Sequence, residues 1–193
     1  MNTNTAPAAT NIGNWQIDAA HSGAEFSVRH LMISKVKGRF ADLAGTLQTD
    51  TENPNDVSLD VRIGVASIDT RQAQRDEHLR SPDFFDAGKW PEITFSGKRI
   101  EGEVSGEFRL FGDLKIRDVV REVVLDVTNE GSVTDPWGNE RIGFSASGKI
   151  DRTDFGLTYN QALETGGVVV GNEIRIAIDV EFTAVIAESA AAA

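Results

Sequence analysis

Apolar residues recur at every second position along most of this chain. In Ala24-Glu-Phe-Ser-Val-Arg-His30, the side chains of Phe26, Val28 and His30 fall on one face and those of Glu25, Ser27 and Arg29 on the other. Phe40 and the pair Leu43 and Leu47 flank a bend at Gly45. Val57, Leu59, Val61, Ile63 and Val65 alternate with polar residues, and Ile93 and Phe95 resume the pattern after Pro91. Further rows are Val104, Gly106, Phe108 and Leu110 (extended by Leu114 and Ile116), Val123 to Val127, and Ile142 to Gly148. The last row is Ile174, Ile176, Ile178, Val180 and Phe182. A period of two marks half-buried strands. One apolar face per strand marks antiparallel pairing, because parallel strands are apolar on both faces. The rows predict an all-β fold of about eight antiparallel strands. A sandwich satisfies the same pattern, but strands of this length favour an extended barrel.

Two stretches leave the alternation. Asp69 to Leu79 is rich in helix formers, with Asp69 or Thr70 placed to cap it. Its thin apolar face predicts a short helix lying across the barrel surface or one mouth. Ser81-Pro82-Asp83-Phe84-Phe85-Asp86 reads as a turn of helix with Ser81 as N-cap and Pro82 at the first position. Its two phenylalanines then plug a barrel end or pack beneath the helix. Turns are expected at Asn53-Pro54-Asn55, Asn129 to Gly131 and Asp135 to Asn139. The expected organisation is a disordered leader over 1–13, one barrel domain over 14–186 and a disordered tail over 187–193.

Composition changes this picture little. An apolar fraction of 40% in 193 residues suits one soluble domain, filled or hollow. The net charge of −11 makes DNA, RNA and anionic lipid headgroups poor partners for the surface. Without cysteine there are no disulfides, thiol chemistry or Cys-based metal sites. The start has neither the basic nor the apolar segment of a signal peptide, and no later stretch approaches a membrane span. The cytoplasm is therefore the expected location, without stable membrane insertion.

Candidate chemistry is sparse. His21, His30 and His78 lack metal-ligand spacing. Asp18, His21 and Ser22 carry the residue types of an acid–base–nucleophile set, but their spacing does not suit one strand face and no nucleophile elbow is present. A turn network explains them better. Gly166-Gly167 lacks the Lys-Ser or Lys-Thr of a phosphate loop. No catalytic or metal residue is assigned. An eight-stranded interior is either filled by side chains or holds one small ligand. Small residues expected to point inward (Ala24, Gly106, Ala146 and Gly148) fit either case. The pattern thus leaves open an apolar-ligand binder, a packed structural barrel and a lipid-acting enzyme.

The motifs, taken in order, resemble those of the YceI-like family, also called polyisoprenoid-binding proteins. The resemblance runs from Trp15 to about Phe182. It is carried by Trp15-Gln-Ile-Asp18, His21-Ser22, Phe26-Ser-Val-Arg-His30 and Val36-Lys-Gly38-Arg-Phe40. Ile68-Asp69-Thr70, Arg75-Asp76, His78 to Asp86, Gly112 to Arg117, Asp151-Arg152 and Asp154-Phe155-Gly156 continue it. The resemblance implies an extended lipocalin-like barrel around a long isoprenoid lipid, such as an isoprenoid quinone or a polyprenyl phosphate. It implies carriage or storage without catalysis, no required cofactor, and in some relatives a homodimer. Many relatives are exported, whereas this chain looks more like leaderless relatives of Gram-positive bacteria. Phe26, Val28 and His30, then Phe95, Phe144 and Ala146, match family strands and are the candidate cavity-lining residues. Phe108 and Leu110 join them on alternation alone. Each of these residues also fits an ordinary core.

Overall fold

Alternation becomes a closed wall in the computed structural model, which describes residues 12–50, 57–162 and 168–185. Strands β1 (Ile12–Ile17) and β2 (Gly23–His30) are followed by β3 (Ser34–Phe40), β4 (Leu43–Asp50), β5 (Val57–Gly64) and the two-residue β6 (Ile68–Asp69). A single helix, α1 (Ala73–Arg80), separates these from β7 (Glu92–Gly102), β8 (Glu107–Ile116), β9 (Val119–Thr134), β10 (Glu140–Asp151) and β11 (Val170–Ala184). All pairings are antiparallel. The ring β1-β4-β5-β7-β8-β9-β10-β11 closes through β1–β11 pairing, giving an eight-stranded barrel. The sandwich alternative is thereby excluded.

The remaining strands extend one end. β11 has 15 residues, enough to serve two partners in turn. Its distal part pairs with β1 (Ile17 opposite Phe182), and its proximal part with β2 (Phe26 opposite Ile176). β1 and β2 thus act as one long strand broken by a 3₁₀ turn at Ala19–His21, where Asp18 Oδ1 accepts from the Ala20 amide at 3.0 Å. β3 continues beyond β2 and pairs with β6.

Local differences from the sequence expectation have physical causes. Strand β1 begins at Ile12, so Ile12 and Gly13 belong to the sheet rather than to the leader, paired with Asp50 and Thr49. The rest of the expected leader, the turn at 53–55, the diglycine at 166–167 and the tail lie outside the described residues. The helix starts at Ala73, not Asp69, because Asp69 and Thr70 are committed elsewhere. Asp69 Oδ1 accepts from the Arg71 amide at 2.8 Å, and Thr70 bonds through its amide and hydroxyl to Asp76. Gln72 caps the helix by accepting from the Arg75 amide. Ser81 closes that helix and does not start another. Its amide bonds back to the His78 carbonyl, and the Phe84 and Phe85 amides reach back to the carbonyls of Ser81 and Leu79. Gly106 lies in the β7–β8 turn with open space around it, so it does not narrow the interior wall.

Gly112 is a tight point of the wall. It lies on the inward face of β8, and a Cβ there would overlap the Phe95 ring. Gly112→Val should therefore cost about 1–3 kcal/mol through overpacking. Urea unfolding checks this, and wild-type stability would show that Phe95 can move aside.

Candidate functional site

The inward faces of the strands enclose an apolar cavity of about 480 Å³. Every strand of the closed ring except β1 contributes several residues, and β1 contributes Ile17. The inward residues of β11 (Ile174, Ile176, Ile178 and Val180) keep partial exposure although they point away from bulk solvent. Phe26, Val28, Phe144 and Ala146 do the same. Fully packed cores do not leave such a row of half-covered apolar side chains. The barrel is hollow.

The cavity is elongated along the strands. Val57, Val104 and Asn129 border one end, and Leu79, Phe84, Phe85 and Leu157 border the other. Between them the wall is built of aliphatic side chains and edge-to-face phenylalanines. Phe108 and Phe144 lie 6.3 Å apart, and Phe144 and Phe182 lie 6.2 Å apart. Helix α1 covers the second end. It is held by polar bonds more than by an apolar face: Arg80 donates to the carbonyls of Ala66 and Ile68, and Arg75 donates to Thr70. Only Leu79 of this helix borders the cavity. The Phe84-Phe85 pair plugs the same end, where Phe85 meets Phe40 edge-on at 6.0 Å.

Of the residues expected to line a cavity, the structure brings Phe26, Val28, Phe95, Phe108, Leu110, Phe144 and Ala146 onto its wall. His30 is not there. It pairs with Val170, which does border the cavity, but it sits where β11 slips register between Val170 and Ile174, and its own ring is not on the wall. Several lining residues were not singled out from the sequence, among them Leu47, Ile93 and Leu114. Their signal was the same alternation. Arg152 was missed for a different reason: a charged residue in an Asp-Arg motif carries no mark of burial, yet only 3% of it is exposed.

Arg152 is the single cation bordering the cavity among the described residues. Its Nε donates to the Gly171 carbonyl at 2.9 Å, and its Nη1 donates to the carbonyls of Leu157 (2.5 Å) and Tyr159 (2.9 Å). Nη2 reaches Val170 and Asn172 at 3.4 Å. All five donors of the guanidinium are engaged by the chain itself. Burial lowers its pKa from the usual arginine value, but arginine stays charged at any working pH. Arg152 therefore clamps residues 157–159 to the start of β11.

The residues that suggested an acid–base set form a different structure. The Arg141 guanidinium bonds Asp18 at 2.7 Å and Asp135 at 2.8 Å, and also bonds Glu181. His21 Nδ1 lies 2.9 Å from Asp18, and the Ser22 hydroxyl accepts from the Glu181 amide at 3.0 Å. Asp18, His21 and Glu181 lie close enough to suggest a cation site, but Arg141 already supplies the positive charge to both carboxylates. Its hydrogen bond, with help from His21, lowers the Asp18 pKa to about 2. A depressed carboxylate stabilises the fold above its ordinary pKa near 3.8, and that contribution fades as pH falls towards about 2. Arg141→Met should raise the Asp18 pKa and leave three acidic groups facing each other. The loss of melting temperature relative to wild type should be largest near neutral pH and shrink below about pH 4. A pH-independent difference would assign Arg141 a packing role alone.

Asp18, His21, Ser22, Arg141 and Arg152 are thus each engaged by bonds within the chain, beside a wall that is otherwise apolar. The comparisons with known proteins agree with the geometry. UPF0312 protein SAS2572 of Staphylococcus aureus (strain MSSA476) is 36% identical over 171 residues, covering 88% of this chain and 97% of that protein. The crystal structure of the Campylobacter jejuni YCEI protein superposes with a TM-score of 0.68 at 35% identity, covering 80% of this chain and 88% of that one. A polyisoprenoid binding domain from Saccharophagus degradans shares the fold, with a TM-score of 0.63 at 16% identity over 89% of this chain and 98% of that one. The model of the YceI-like domain matches residues 15–182, from within the first wall strand to near the end of β11, and the chain belongs to the YceI-like family.

Proposed function

We propose that the barrel carries or stores a long isoprenoid-type lipid, without acting on it. The observation that carries this reading is the elongated apolar cavity of about 480 Å³, within the usual range of ligand pockets of ~300–1,000 Å³. A long hydrocarbon fits such a wall because affinity accrues by burial, at about 0.8 kcal/mol per CH₂, with few polar contacts needed. The likeness to the Saccharophagus degradans polyisoprenoid binding domain supports this chemical class.

An isoprenoid quinone suits the wall better than a polyprenyl phosphate. A phosphate needs donors or cations, and the only cation bordering the cavity among the described residues, Arg152, has its donors engaged. Residues 51–56 and 163–167 contain no Lys or Arg to supply one. A quinone head is uncharged and makes no such demand.

Mass spectrometry of an organic extract, made from protein purified from its native host, tests the reading. One prenyl lipid per chain is expected. Repeated absence of any prenyl lipid would overturn the proposal, and a polyprenyl phosphate would overturn the choice of headgroup.

A further inference from the structure

Three basic residues within nine positions of the sequence, Arg29, Lys35 and Lys37, come to share one face of a hairpin. β2 and β3 are joined by Leu31-Met32-Ile33, at the same end of the barrel as helix α1. Ile33 is 83% exposed and Met32 59%. Leu31 and Met32 hold φ angles of 50° and 60°, a left-handed backbone that favours glycine or asparagine. Two bulky apolar residues thus occupy positions that backbone sterics would give to other residue types.

The flanks are as unusual as the tip. Arg29 lies directly opposite Lys35 across the ladder, and Lys37 follows on the same outer face. Like charges placed opposite one another destabilise a sheet. Among the described residues, none of these three cations forms an ion pair. Elsewhere on the surface several cations are paired, as in Arg62 with Glu92 and Lys98 with Asp113. The chain as a whole carries −11, so this cationic patch is a local reversal.

We propose that the β2–β3 hairpin docks the protein on anionic phospholipid surfaces. A bilayer interface resolves the exposed apolar tip and the unpaired like charges together. The acyl layer receives Met32 and Ile33, and the headgroups neutralise Arg29, Lys35 and Lys37. The expectation from net charge, that anionic headgroups are poor partners, averages over a divided surface, and this hairpin departs from the average. The hairpin is also continuous with the cavity wall: Val28 on β2 and Val170 on β11 both border the cavity, and the Leu31 amide donates to the Val169 carbonyl at 2.9 Å. Docking would bring the helix-covered end of the cavity to the membrane, where a lipid cargo enters or leaves. That use of the contact rests on the carrier reading, whereas the docking itself does not.

The test is co-sedimentation of the full chain with vesicles of phosphatidylcholine alone, or of phosphatidylcholine mixed with phosphatidylglycerol. Binding is expected to the mixed vesicles and should weaken with added salt. The triple variant Arg29→Gln, Lys35→Gln, Lys37→Gln should bind on the order of a hundredfold more weakly. The double variant Met32→Gly, Ile33→Ser should also lose binding while melting no lower than wild type, because glycine suits the Met32 backbone. Absence of vesicle binding, equal binding to both vesicle types, or binding unchanged in both variants would overturn the proposal. So would a hairpin-dependent contact with a soluble acidic protein in place of vesicles. Vesicle binding by a protein that never carries a prenyl lipid would sink the carrier reading and leave the docking surface intact.

Discussion

Arg152→Met should destabilise the barrel by about 3–5 kcal/mol while leaving the cavity wall otherwise in place. Methionine matches the stem of arginine but returns none of its donors. The carbonyls of Leu157, Tyr159 and Gly171 would be left without the partners they now have. An unsatisfied buried acceptor costs roughly 1–3 kcal/mol, and the total is moderated by whatever water reaches the gap. In a domain of this size, that loss lowers the melting temperature by roughly 6–20 °C. Arg152→Lys should fall between the two proteins, because one ammonium on a flexible stem cannot reproduce a rigid five-donor fork. Thermal unfolding of the three proteins decides the matter. A methionine variant that melts like wild type, yet fails to bind a prenyl lipid, would make Arg152 a ligand contact instead of a clamp.

The antiparallel barrel was legible in the chain because the wall depends on a single repeated property. Each strand needs one apolar face, and a period of two displays it directly, as in the run from Ile174 to Phe182. Closure was less legible. It depends on β11 being long enough to pair with both halves of a strand broken at Ala19–His21, and a break carries no hydrophobic signature. The candidate site was legible for the same reason as the wall. Once the strands are placed, any inward residue borders the cavity, so choosing Phe95 and omitting Ile93 had no physical basis. His30 misled because it continues the alternation of Phe26 and Val28, yet at the register slip of β11 only its partner Val170 reaches the cavity wall. The polar features were hidden because they depend on long-range meetings. Arg141 reaches Asp18 across 123 positions, and no local pattern announces that. Whether the interior is hollow also lay beyond the sequence. Ala24 and Ala146 fit a packed barrel as well as an empty one, and only the half-exposed inward faces separate the two.

Ala146→Phe turns that distinction into a measurement. Ala146 is on the inward face of β10, between Val127 of β9 and Ile178 of β11, and it borders the cavity partway along its length. In a filled core, inserting a phenyl ring would cost about 1–3 kcal/mol or more. In a hollow barrel the ring enters empty space, gains apolar contacts and leaves the melting temperature of the lipid-free protein unchanged or higher. The price falls on the ligand. The ring occupies the room of about four to five chain carbons, and at about 0.8 kcal/mol each this removes roughly 3–4 kcal/mol of burial. Affinity for a long prenyl quinone should therefore fall by about 10²–10³-fold, and a quinone with a much shorter tail should be affected far less. Titration of delipidated wild-type and variant protein with quinones of two tail lengths, alongside thermal unfolding, reads both quantities. A destabilised variant would mean that the interior is packed at this level. A stable variant with undiminished affinity for the long tail would mean that the lipid lies elsewhere than in the barrel.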